Sequence, residues 1–152
     1  MKKILLIASL LFVSVSIQAQ KSAEQKAIEQ ACLDYLDGFY EGDTMKIIRS
    51  IKPSLFKFGY WKNKKTDEYE SDGNMTFTEA VAYARKVNEK KSFAKAGSPK
   101  KVEVLDIVNH IASAKVTAWW GVDYILLSKN GDRWLIEQVL WEGPLEKNHL
   151  PN

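Results

Sequence analysis

The chain has 152 residues, 45% of them hydrophobic and 27% charged, with five tryptophans, two histidines and one cysteine. A single cysteine excludes an internal disulfide, and a formal charge of +3 is too small for an electrostatic case for nucleic-acid binding. The histidines, His110 and His149, and Cys32 form no cluster with metal-ligand spacing, so no metal or other cofactor is implied.

Lys2 and Lys3 precede an apolar run from Ile4 to Val15, and Ser16-Ile17-Gln18-Ala19 ends on a small residue. This is the pattern of a signal peptide cut after Ala19, and it is shorter than the roughly 20 apolar residues of a membrane span. The expectation is a leader over 1–19, a single domain over 20–152, and a periplasmic or secreted product that is not membrane-embedded after processing. Loss of Lys2 and Lys3 brings the formal charge to +1.

Residues 22–41 predict an amphipathic helix, with Ser22 and Gln25 spaced as a capping box and Ile28, Ala31, Cys32, Tyr35, Leu36 and Phe39 on one face. Cys32 falls on that face, as a buried and inert thiol would. Gly42 stops the helix and Asp43 caps a second one, in which Met45, Ile48 and Ile51 share a face before Pro53. Leu55–Trp61 reads as a strand, and Asn63–Asn74 as a hairpin or exposed loop with a turn at Asp72-Gly73. Thr76 and Glu79 form another capping box, opening a third helix with Phe77, Ala80, Val81, Ala84 and Val87 as its stripe. That cap is the better reading of Asn74-Met75-Thr76 than a glycosylation sequon. Lys95–Lys101 is a linker.

From Val102 the period changes to two. Val102–Val108 is a strand and Asn109-His110 a turn. Alternation from Ala112 runs through Trp119 and Trp120 to a bend at Gly121, and Val122–Ser128 continues. Asn130-Gly131 signals a type I′ hairpin, and Trp134–Trp141 is the last strand. Helices followed by an antiparallel meander give an α+β fold, one sheet with helices on one face.

Val102–Val108, Ala112–Val116, Val122–Tyr124, Gly131–Ile136 with its Gly-x-x-Trp spacing, and Val139–Glu142 together resemble the putative lumazine-binding family of the NTF2-like (SnoaL-like) superfamily. Ile28–Tyr35 and the following Gly42-Asp43 fit the same pattern, so the resemblance spans nearly the whole domain. It implies a cone: a curved, mostly antiparallel sheet with three helices on its concave face, and a cavity between them. It also implies a homodimer built on the outer sheet face. Members of the family often carry His-Pro after the second helix, where this chain has Lys52-Pro53.

A cavity of this kind is mostly apolar with a few orienting polar groups. Trp61, Trp119, Trp120, Tyr124 and Tyr35 are the candidate aromatic walls, and Gln138, His110 and Glu137 candidate polar contacts. Trp134 and Trp141 are expected to pack structurally at strand ends. As strand neighbours, Trp119 and Trp120 would face opposite sides, and the bend at Gly121 decides which faces in. Asp123 either faces water, the commoner fate of a charge, or is buried with a partner. If buried it is a candidate general base, with Tyr124 or Tyr60 as donor.

Three functions are expected from these features. The first is binding of an aromatic or apolar small molecule outside the cytoplasm. The second is a dimerising interaction domain without ligand. The third is a lyase or isomerase using Asp123 and a tyrosine. No Gly-rich phosphate loop and no Ser-His-Asp arrangement stands in the chain.

Overall fold

The computed structural model describes residues 23–150. The leader at 1–19 and the Ser22 cap lie outside them. Helix α1 covers 23–41, followed by α2 (Thr44–Ser50), β1 (Ile51–Lys62), β2 (Tyr69–Met75) and α3 (Phe77–Glu89). Then come β3 (Lys100–Ile107), β4 (Ile111–Ala118), β5 (Gly121–Asn130) and β6 (Arg133–Gly143), and a short 3₁₀ turn at Lys147–His149. The six strands form one curved, unclosed sheet in the order β2-β1-β6-β5-β4-β3. All neighbours are antiparallel except β1 and β6. Three helices and this sheet make the expected α+β cone.

The helices form where local chemistry directs. The Asp43 carboxylate accepts the Met45 and Lys46 N–H groups at the head of α2. Thr76 and Glu79 close a reciprocal capping box on α3, with the Glu79 N–H bonded to the Thr76 hydroxyl and the Thr76 N–H to the Glu79 carboxylate at 2.7 Å. Ile28, Cys32, Tyr35 and Leu36 of α1 join Ala80 and Ala84 of α3 in one core with Ala114, Val116, Ile125, Leu127, Ile136 and Val139 of the sheet. Cys32 is fully buried there, and burial pushes its thiol up to about 12.

Four local expectations change. In α2 the buried residue is Ile47, while Met45 and Ile48 are exposed. Ile47 fits against α1 where Gly38 has no side chain, and Ile51 has already left the helix for β1. β1 runs through Pro53, because its pairing with β6 is irregular between Ile51 and Phe56 and needs no donor there. Asp72-Gly73 lies inside β2 as a bulge, the register moving from Phe58↔Asn74 to Tyr60↔Ser71, and the turn falls upstream, where Asn63 and Asp67 bond. In the β5–β6 hairpin Asn130 pairs with Arg133, so Gly131 and Asp132 are the turn residues. Only Gly131 has a positive φ, 61°, which is the type II′ pattern.

The β4–β5 connection departs furthest from expectation. Ala118 pairs with Gly121, so Trp119 and Trp120 are the two residues of a tight turn and not strand neighbours. Gly121 takes φ +156°, and a Cβ there would meet the Glu142 carbonyl oxygen at 1.8 Å. Neither the dihedral nor the contact admits another residue. Gly121→Ala is therefore expected to cost about 3 kcal/mol in urea unfolding, against about 1 kcal/mol for Gly97→Ala, where φ is also positive but the space is open.

Candidate functional site

Strand parity sends Leu55, Lys57, Gly59 and Trp61 of β1 to the helix side of the sheet and Phe56, Phe58 and Tyr60 to the other. On β5 the same rule turns Asp123, Ile125 and Leu127 inward and Tyr124 and Leu126 outward. Lys57 and Asp123 thus meet beneath α1, which lowers Tyr35 between them. Tyr35 donates its hydroxyl to Asp123 Oδ2 at 2.6 Å, and Lys57 Nζ donates to the Tyr35 oxygen at 2.9 Å. The Trp120 indole N–H donates to Asp123 Oδ1 at 2.8 Å. Lys57 Nζ lies 3.7 Å from Asp123 Oδ2, so the hydroxyl mediates the ion pair. Asp123 is 0% exposed, and no buried side-chain polar atom among the described residues lacks a partner.

Burial sets the titration of this cluster. It drives the Tyr35 hydroxyl well above its ordinary range, and the Asp123 charge adds to the rise. It pulls Lys57 below the ordinary lysine range, against the opposing pull of Asp123. The lysine also lies 5.2 Å from the Trp141 ring centre and 5.6 Å from that of Tyr35.

Above the cluster opens a cavity of about 240 Å³. Its wall is aromatic: Trp61 and Trp141 from the sheet, Trp119 and Trp120 from the β4–β5 turn, Phe39 from α1 and Tyr83 from α3. Lys57 is at its floor, and Met75 and Asp72 of β2 complete the lining. Gly59 makes room for this wall, since a Cβ there would overlap the Trp141 ring and carbonyl. Trp120 stands edge-on to Tyr35, Phe39 and Tyr40, which locks its indole over Asp123. The Tyr40 hydroxyl accepts the Trp119 backbone N–H at 2.9 Å and donates to the Pro99 carbonyl, pinning the turn to α1. Burial pushes that hydroxyl up to about 12.

The expected site residues separate accordingly. Trp61, Trp119 and Trp120 line the cavity, and both turn tryptophans do so because neither is in a strand. Tyr35 lies under the cavity, bonded to Asp123. Asp123 is buried with partners, not on the wet face. Tyr124 is 53% exposed on the outer sheet face, so the pairing of Asp123 with Tyr124 is not formed, and Tyr60 faces the same way. Gln138 is on the outer face and His110 in an exposed turn, both away from the cavity. Glu137 also lies away from it, held by Lys52 Nζ at 2.5 Å and by Ser128, so the Lys52-Pro53 departure does not reach the cavity. Trp134 is buried with its N–H on Glu24, whereas Trp141 joins the cavity wall and is more than strand-end packing. Sequence reading missed Lys57. Its signal was the two-residue spacing to Gly59 and Trp61, masked by the more apolar Phe56-x-Phe58-x-Tyr60 set on the opposite face.

The model of the family described as "Putative lumazine-binding" matches residues 23–142, the helices and strands that build this site. The chain belongs to that family. Solved structures of NTF2-like proteins share the fold. An NTF2-like protein of unknown function from Silicibacter pomeroyi is 15% identical, with a TM-score of 0.60 over 80% of this chain and 96% of its own. A second, from Methylobacillus flagellatus, is 18% identical, with a TM-score of 0.58 over 79% and 91% of the two chains. A protein named as a putative scytalone dehydratase from Novosphingobium aromaticivorans is 11% identical, with a TM-score of 0.57 over 89% and 93%. Comparison with curated protein sequences finds no match. Among the described residues of this family member, no group of three metal-ligating side chains occurs and no helix is long and apolar enough to cross a membrane.

Asp123→Asn keeps the shape but turns an amide N–H₂ towards a donor and strands Lys57, so it is expected to cost about 3 kcal/mol in urea unfolding. Lys57→Met leaves the buried Asp123 carboxylate without its counter-charge, though still bonded to Tyr35 and Trp120, and is expected to cost a similar amount, about 3 kcal/mol. The pH dependence carries a definite sign. A lysine held below its ordinary value leaves the unfolded chain binding more protons between the folded and unfolded pKa. Stability therefore rises as pH climbs from the lowered value towards about 10. Above that, Tyr35, raised in the fold, reverses the trend, because the unfolded chain then loses its tyrosine proton first. Denaturation midpoints between pH 7 and 10 are expected to rise in the wild type relative to Lys57→Met.

Proposed function

We propose that the protein is an exported carrier for a small, flat, largely apolar molecule, held in the aromatic cavity above Lys57. The observation that carries this reading is the cavity wall itself. Four indoles, a phenyl and a phenol converge on one space whose floor is a fully partnered polar cluster. Flat surfaces at several angles suit a planar ligand, and one donor at the floor suits an acceptor on its edge. Membership of a family described as lumazine-binding supports a small-molecule ligand, and the Lys2–Ala19 leader pattern supports export. Direct general-base chemistry at Asp123 is less well supported, since both its oxygens are engaged by Tyr35 and Trp120.

Trp119 is the residue to change, being 48% exposed with its ring in the wall. Trp119→Ala is expected to weaken binding of a planar probe, 2-naphthalenemethanol, roughly tenfold with little loss of stability. Quenching of the intrinsic tryptophan fluorescence reads the affinity. No saturable quenching in the wild type would count against the carrier reading. Expression with the native leader, followed by intact mass of the exported protein, tests cleavage after Ala19.

A homodimer is the favoured assembly. Phe56, Tyr60, Tyr124, Leu126 and Leu140 stand exposed together on the outer sheet face, an apolar area of the kind that marks an interface. Leu126→Glu with Leu140→Glu is expected to convert a dimer to a monomer in light scattering. A wild-type monomer at micromolar concentration would remove this assignment.

A further inference from the structure

Among the described residues Lys57 is the one amine in the cavity wall, and its surroundings differ from those of a lysine kept for an ion pair. It is 7% exposed and enclosed by the rings of Tyr35 and Trp141. The charged or titratable groups facing it are Tyr35 from α1, Asp123 from β5 and Asp72 from β2. Asp123 is reached through the Tyr35 hydroxyl, which accepts from Lys57 at 2.9 Å and donates to the carboxylate at 2.6 Å. That is a two-step proton path. A proton leaving Nζ passes to the Tyr35 oxygen as the phenolic proton passes to Asp123 Oδ2.

We propose that Lys57 captures a planar aromatic aldehyde or ketone as a Schiff base in this cavity. The inference rests on the carrier reading for its binding space. The neutral amine attacks the carbonyl carbon, forming the C–N bond while the carbonyl π electrons move to oxygen. Asp123, which took a proton from Nζ to leave the amine neutral, returns it through Tyr35 to the alkoxide, and the regenerated carboxylate then takes by the same path the proton that the nitrogen loses, giving a carbinolamine. The C–O bond then breaks, water carries away the oxygen with two protons, and the C=N bond forms. One ligand and one amine yield one imine and one water, with no oxidant or reductant. A dry, aromatic site favours each part. Burial lowers the cost of the unprotonated amine, and exclusion of water slows hydrolysis of the imine. Arginine or methionine in place of Lys57 would keep a cavity but could not make this bond.

The test uses the full mature protein and two probes of one shape, 2-naphthaldehyde and 2-naphthalenemethanol. The aldehyde is added with cyanoborohydride at neutral pH, and intact mass and peptide mapping track the trapped secondary amine. The alcohol, which has no carbonyl, reports cavity binding by tryptophan quenching. The expected result is one adduct per chain on Lys57, formed faster than on the average surface lysine, because burial leaves more of this amine neutral. Excess alcohol should suppress the adduct, and Lys57→Met and Lys57→Arg should lose it. Saturable alcohol binding with aldehyde label spread evenly over surface lysines would overturn the Schiff base and leave the carrier reading intact. No binding of either probe would remove both. Peptide mapping of the wild type decides the matter even if a Lys57 variant fails to fold.

Discussion

A carboxylate with no access to solvent must have its charge answered by hydrogen bonds from the protein, and Asp123 imposes this condition on the rest of the fold. Two neutral donors satisfy its oxygens, the Tyr35 hydroxyl and the Trp120 indole, and a lysine stands behind the tyrosine. These come from α1, from the β4–β5 turn and from β1. Meeting the needs of one side chain therefore fixes the height of the first helix over the sheet, the path of a hairpin turn and the strand pairing that delivers Lys57. A cluster like this contributes little net stability compared with apolar packing of the same volume. What it secures is arrangement, since any displacement leaves a buried donor or charge without its partner.

The cavity depends on the same arrangement. Trp120 cannot swing away without abandoning Asp123, so its ring stays edge-on to Phe39 and Tyr40. Trp119, next to it in the turn, is held by its backbone to Tyr40 and leaves its ring free for the opening. Gly121 and Gly59 supply the close approaches that let the turn and Trp141 sit where they do. The polar floor and the aromatic wall are thus one construction. The outer face of the sheet, apolar and exposed, is separate from it and suits a different task.

Much of this fold was legible in the sequence because periodicity reports burial. The α1 stripe, the Thr76–Glu79 cap and the alternation through β4 and β5 each appear where the pattern places them. What escaped reading depended on register. Trp119 and Trp120 continue an alternating run, and only the φ of Gly121 and its approach to Glu142 turn them into a hairpin loop. Bulges at Gly73 and between Leu126 and Leu127 shift pairing in ways that residue types do not announce. For the site, the tryptophans and Asp123 were visible as unusual residues in apolar strands. Tyr35 was visible as a helix-face aromatic and a candidate cavity wall but not as the partner of Asp123, and Lys57 went unread. Their meeting is a tertiary event across 88 residues for Tyr35 and Asp123, and no local pattern encodes it. Tyr124 stood beside Asp123 in sequence, yet strand geometry puts sequence neighbours on opposite faces.

A dry amine at Lys57, tied through Tyr35 to Asp123, is the central claim. Its most direct test is an NMR titration of the lysine side-chain nitrogens in protein labelled with ¹⁵N at Nζ, with Lys57→Met to assign the signal. A buried Lys57 predicts one nitrogen that loses its proton at clearly lower pH than all others and exchanges its hydrogens slowly with water. If the Lys57 signal titrates with the surface lysines and exchanges as fast as they do, the amine is hydrated and the buried cluster is not the organising feature of this protein.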